Sequence, residues 1–219
     1  MPQVTPQPPG RSARITFGWI AGLQSTFGEV KSRLTAMNVH AAALRLLAGG
    51  CDFLVAYHHP SQPLQLDPNR FDMVVLGQEV LAPFSKVNAD GKPRFTLPAT
   101  ARKSAPYLAY APGAYLGRVT EFLLKGVKAP IHLRRVYETD MAESLKTMAL
   151  EGHGIAFLPM GSVRRELSEN RLVEVRLPKG PSLSVEMEVR VYREKQQTLD
   201  VTNERAASLW QHLVAQAAT

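Results

Sequence analysis

The side chains best placed to do chemistry in this 219-residue chain carry sulfur or imidazole. There are seven methionines, Met1, Met37, Met73, Met141, Met148, Met160 and Met187, six histidines and one cysteine, Cys51. A thioether can be oxidised to a polar, chiral sulfoxide, which turns an apolar filler into a hydrogen-bonding group. Met73, Met148 and Met187 fall at core-like positions. A lone cysteine cannot close an intramolecular disulfide and fits a reducing compartment. Cys51 lies between a predicted helix end and a predicted buried strand, so a packed, unreactive thiol is expected. The histidines lack the paired spacing of a metal site. His58 and His59 are adjacent, and successive residues of a strand point apart. No Gly-x-Ser-x-Gly, phosphate-loop or dinucleotide fingerprint occurs. Glu151 and His153 flank Gly152 at a helix end, where a solvated role is the simpler reading. No metal, no cofactor and no enzymatic constellation are expected.

These residues sit on a regular succession of elements. Arg14–Phe17 reads as a strand and Gly18–Phe27 as a helix with Trp19, Ile20, Leu23 and Phe27 on one face. Val30–Ala36 alternates like a half-buried strand. Asn38 caps a helix that stops at Gly49-Gly50. Strands follow at Asp52–Tyr57, Met73–Leu76 and Glu79–Phe84, with the proline-rich loop 58–70 between the first two. After turn-rich Lys86–Lys103 come a strand at Tyr107–Tyr110, a helix at Tyr115–Lys125 and a strand at Ile131–Glu138. Asp140 with Glu143 forms a capping box for a helix whose apolar stripe is Met141, Leu145, Met148 and Ala149. Gly152 ends that helix, and Ile155–Leu158 is a buried strand. Ser162–Asn170 is a short helix, and residues 183–191 alternate as a clear strand. A helix from Val201 to Ala217 closes the chain. Strands alternating with helices predict an α/β fold with largely parallel sheets.

Composition narrows the function classes. The chain is 45% hydrophobic and carries 26 basic against 19 acidic residues, a formal charge of +7. No apolar run is long enough to span a membrane, so no membrane partner is expected. Residues 1–13, rich in Pro, Gln and Gly, read as a linker or tail without the apolar stretch of a secretory signal. A cytoplasmic protein is expected. The positive excess suits an anionic ligand, or simply a solvated surface. No basic stripe with interleaved aromatics argues for direct nucleic-acid contact.

Three segments together resemble the effector-binding domain of LysR-type transcription regulators. LRLLAGGCDFLVAY (44–57) is similar to that family's helix–Gly–Asp–strand signature. ETDMAESLKTMALEGHGIAFLP (138–159) is similar to its second signature, and RLVEVRLP (171–178) with the following strand to its return segment. The resemblance implies two Rossmann-like subdomains joined by two crossover strands, as in periplasmic binding proteins. Subdomain I would be 14–82 plus 192–219 and subdomain II 83–191, with crossovers at Glu79–Phe84 and Val189–Arg193. It also implies a homodimer or tetramer, and DNA contact only through an N-terminal winged helix-turn-helix absent from this sequence. CDFLVAYHHP (51–60) and MNVH (37–40) look most like the hypochlorite-responsive, methionine-oxidation-activated branch.

Ligands of open α/β sheets bind beyond the carboxyl ends of strands, at switch points. That places a small-molecule effector or oxidant against Gly18, Asn38, Val39, His40, His58, Ala111, Gly113, Tyr115, Thr139, Asp140 and Met141. Thr139–Met141 is favoured, because a helix start offers unpaired N–H groups and the positive end of a dipole. Met141, Met37 and Met160 lie at this cleft or its rim and are the redox candidates; the plain alternative is that each only fills space. A further expectation concerns the first crossover. Phe17 and Val30 are separated by only 12 residues, 18–29, which the helix nearly consumes. Roughly ten residues of the family's pattern, the loop expected to meet effector, are then lacking between Phe17 and Gly18. A small-anion sensor of the same family, a solute-binding protein of the same architecture and an enzyme on the same fold remain the alternatives.

Overall fold

One strand ties the sheet together. In the computed structural model, which describes residue 33 and residues 35–128, 130–178, 182–195 and 204–217, β2 runs 16 residues from Phe71 to Lys86. Its first part, Phe71 to Leu81, pairs antiparallel with β7 (Val185–Glu194). Its last part pairs antiparallel with β5 (Ile155–Pro159) and β6 (Leu172–Glu174). Beyond β7 lies β1 (Leu54–His58), and beyond β5 lie β3 (Ala105–Tyr110) and β4 (Leu133–Thr139). The two strands expected at Met73–Leu76 and Glu79–Phe84 are therefore one. Their apparent break is a bulge between Val75 and Gly77, where the register with β7 shifts. A bulge leaves one residue unpaired without ending the ladder.

The sheet is α/β as expected but not largely parallel among the described residues. Only β3–β4 and β3–β5 run parallel; the other four pairings are antiparallel. The strands that cross between the two halves cause this, because each must leave one half and enter the other in opposite senses. The strand and helix expected at 14–17 and 18–27, most of the strand at 30–36, and Gly18 lie outside the described residues. So does the proposed shortfall between Phe17 and Gly18.

The inner strands of each half are covered by helices on both faces, the general solution for an α/β sheet, whereas the edge strand β4 is exposed at five of its seven positions. In one half, Ala82, Phe84, Leu108, Tyr110, Ala156 and Leu158 face α3 (Ala142–Glu151), through Leu145 and Ala149. Leu81, Tyr107, Ala109 and Phe157 alternate with them and face α2 (Tyr115–Lys125), through Val119. In the other half, α1 (Val39–Leu47) sets Ala43 and Leu46 against Leu54, Phe71 and Tyr192. On the opposite face, α5 (Glu204–Ala217) sets Trp210 and Leu213 against Val191. The segment expected as one helix at 162–170 is a 3-10 turn, Met160–Val163, followed by the short α4 (Arg164–Ser168). Residues of α2 stop and start where the sequence predicts, and β5 is buried at all five positions.

Two further expectations need correction. Asp140 does not cap α3: the N-cap is Met141, with no side-chain cap bond, and the Glu143 carboxylate goes instead to Lys146 Nζ at 2.6 Å. β4 stays extended through Thr139, which moves the helix start one residue beyond the capping box. Met73 is not core: it is 44% exposed, on β2 ahead of the bulge.

Candidate functional site

The carboxyl ends of β3 and β4 are joined by backbone. The Ala111 N–H donates to the Thr139 carbonyl at 2.8 Å, and the Met141 N–H donates to Thr139 Oγ1 at 3.3 Å. Those bonds place the 111–114 turn beside the start of α3. Gly113 sits at φ 86°, a left-handed conformation that a side chain would strain. Tyr115 then opens α2. Met141 is 60% exposed and lies off the buried stripe of Leu145 and Ala149. Its thioether is thus open to solvent at a helix start. Met37, just before α1, is also exposed, whereas Met160 is half-buried against the α3-side core.

Two cavities flank this region, and they divide the expected site residues. One of about 310 Å³ lies among Tyr107, Ala111, Gly113, Arg118, Glu121 and Arg135. The other, about 330 Å³, lies between α1 and residues 62–66, with Val39, His40, Tyr115 and Arg118 in its wall. The structure thus brings Ala111 and Gly113 to one cavity and Val39, His40 and Tyr115 to the other. His58, Thr139, Asp140 and Met141 line neither. Asn38 is a helix cap, its Oδ1 accepting the Ala41 N–H at 2.9 Å, which satisfies one otherwise unpaired amide. Cys51 is partly buried, and burial pushes its thiol up. A protonated thiol is a poor nucleophile.

Among the described residues, the buried side-chain atoms His58 Nδ1, Tyr110 Oη and Tyr192 Oη have no hydrogen-bond partner in the protein. Burial, then the Arg190 guanidinium, depresses the His58 pKa, which keeps the ring neutral. Burial raises the Tyr110 phenol far above its ordinary value and pushes Tyr107 up to about 12. Leaving such a group unpaired costs roughly 1–3 kcal/mol.

Three residues of this region are not among those expected from the sequence. Arg118 borders both cavities and bonds across them. Glu79, 1% exposed on β2, accepts the N–H groups of Val80 and Gly161 on Oε1 at 2.9 and 3.1 Å. Tyr110 carries a buried phenol without a partner in the protein. The only sequence signal was for Glu79, an acid leading the apolar run Val80–Phe84; nothing in a single sequence distinguishes Arg118 from a solvated helix residue.

Among the described residues, no cluster of three or more His, Cys, Asp or Glu could hold a metal ion, and no helix is long and apolar enough to cross a membrane. The family model described as the LysR substrate binding domain matches residues 8–218. The regulatory domain of HypT from Salmonella typhimurium in its apo form is 27% identical with a TM-score of 0.75, over 94% of this chain and 92% of that one; its bromide-bound form gives 26% and 0.74. Full-length HypT, described as a hypochlorite-specific LysR-type transcriptional regulator, is 28% identical, with a TM-score of 0.70 over 90% of this chain and 64% of its own. The HTH-type transcriptional regulator YjiE of Escherichia coli (strain K12) is 29% identical over 140 residues, 64% of this chain and 44% of YjiE. The chain spans about half the length of the curated relatives it matches.

Proposed function

Because the chain belongs to the LysR substrate-binding-domain family, whose members are the effector-binding domains of LysR-type regulators, we propose that this one senses hypochlorite through the thioether of Met141. Met141 carries the reading: it is exposed at the start of α3, one hydrogen bond from the β4 end that holds the 111–114 turn. Hypochlorous acid oxidises a thioether by two electrons. Oxygen is added to sulfur, chlorine leaves as chloride and a proton passes to water. The product is polar and chiral, and at this position it competes for the amides and hydroxyl of Thr139–Ala142. A local change of that kind biases the closure of the two halves of the sheet. The likeness to HypT supports the choice of oxidant. In this reading the chain works in the cytoplasm within a homodimer or tetramer and reaches DNA through a domain outside this sequence.

The test replaces Met141 with Ile in the regulator that carries this chain and measures hypochlorite-induced transcription. Loss of induction with a retained response in Met187→Leu supports Met141 as the sensor. An unchanged response removes it from the mechanism.

A second reading has its own observation. Tyr110 Oη is buried without a partner in the protein, and Tyr110 lines the cavity that Arg118 and Arg135 also border, so a small anion there would meet a phenol donor and two guanidinium groups. The bromide-bound HypT regulatory domain lends it support. Thermal-shift screening of small acids and halides separates the two. Stabilisation by one anion, with no functional effect of oxidation, favours the anion sensor.

A further inference from the structure

The segment after β1 and the start of α2 belong to opposite halves of the sheet, 56 residues apart in sequence, yet they are laced together by side chains. The Tyr115 hydroxyl accepts the His59 N–H at 2.6 Å. Arg118 Nε donates to Gln62 Oε1 at 2.9 Å, and Arg118 Nη1 donates to the Gly113 carbonyl at 2.5 Å. The guanidinium lies 5.8 Å from the Tyr115 ring centroid. The His59 ring packs at 5.1 Å on Phe122, one turn further along α2. The same ring holds Ser61, whose N–H donates to Nδ1 at 3.1 Å.

We propose that Arg118 is an interlobe clamp: its single guanidinium fixes the 59–62 segment of one half to the 111–114 turn of the other, so that the two segments move as one. Arginine suits the task because its planar fork presents several donors in fixed directions. Its bonds are charge-assisted, and Gln62 and the Gly113 carbonyl are neutral acceptors whose positions it dictates. Arg118 also lines both cavities. The clamp therefore couples the turn at the ends of β3 and β4 to the surface that faces α1. This holds whichever ligand or oxidant the cleft receives, and its test uses neither.

Amide exchange of the 219-residue chain reads the coupling directly. In 59–62, the His59 and Gln62 amides donate to Tyr115 Oη and the His59 carbonyl; in 111–114, the Ala111 and Ala114 amides donate to the Thr139 and Ala111 carbonyls. Arg118→Ala should speed exchange in both segments together by about tenfold or more, as expected for a lost charge-assisted bond. Gln62→Ala leaves the 111–114 turn untouched chemically, yet should speed its exchange as well. Protection across β5 must stay unchanged in either variant, which shows that the fold is intact. If Gln62→Ala affects only 59–62, or neither variant changes 111–114, the two bonds are independent local contacts and the clamp is overturned. Should Arg118→Ala fail to fold, the Gln62→Ala result decides alone.

Discussion

Glu79 and His58 titrate in opposite senses, and both sit where the two halves of the sheet meet. Burial raises the Glu79 carboxyl from 4.5, more than its two amide bonds and Arg164 lower it. An acid with a raised folded pKa contributes stability below 4.5, and that contribution is lost as pH rises through the folded value. His58 and His59 are depressed from 6.5 by burial. Their contribution is present above 6.5 and lost as pH falls through the folded values. Glu79→Gln keeps an acceptor for Val80 and Gly161 but cannot ionise. The difference in Tm between Glu79→Gln and the parent should therefore grow in the variant's favour as pH is raised from 4 to 7. A difference that shrinks over that range would mean the two amide bonds outweigh burial.

At the scale of elements, the turn from α3 into β5 depends on two glycines for different reasons. Gly152 takes φ 83° at the helix C-cap, and the nearest atoms to an added Cβ are the mobile ends of Arg94 and Lys86. Gly154 would place a Cβ 2.8 Å from the Pro106 carbonyl oxygen and 3.0 Å from Leu108 Cγ, where β3 and β5 approach. Side-chain ends can swing away, but strand backbone cannot. Gly152→Ala should cost about 1 kcal/mol, chiefly backbone strain. Gly154→Ala should cost about 1–3 kcal/mol as overpacking, and its Tm should lie several degrees lower by calorimetry, roughly 2–4 °C per kcal/mol for a chain of this size. The reverse order would place the tight contact at the cap rather than between strands. This stretch was legible in advance because a helix stripe, a glycine pair and an apolar run are local signals. So were α1 with its Asn38 cap, α2 and the end helix. What was not legible depends on long-range pairing. The bulge at Leu76 split one strand into two readings, and the crossing strands made the sheet mostly antiparallel. Asp140 and Glu143 offered a capping box that the extension of β4 displaced. At the site, Ala111 and Thr139 do meet, but the residues expected around a single cleft are spread over two cavities that both include Arg118, and some line neither. The importance of Arg118 comes from partners 5 and 56 residues away.

For the whole molecule, β2 decides how the halves can come apart. Leu81 pairs with Val185 of β7 and with Pro159 of β5, so one residue belongs to both halves. Beneath it Phe157 and Met187 share a single buried cluster. The interlobe bonds from Tyr115 and Arg118 add a second tie away from the sheet. Unfolding one half would strip β2 of partners along part of its length and expose Leu81, Phe84 and Met187, which are at most 1% exposed. Fully burying each such side chain is worth about 1.5–3 kcal/mol, so a half-folded state forfeits several of them at once. A ligand bound to either half then acts on one cooperative body, and its binding energy stabilises both halves by mass action. Denaturant unfolding should be a single transition. Trp210 reports the half covered by α5, where it stacks on Phe53 and lies under Arg193; its emission can be read alone in a Trp19→Phe background. Amide exchange across β5 reports the other half. Coincident midpoints for the two probes are expected, and a separation between them would show that β2 is a hinge between independently folding units.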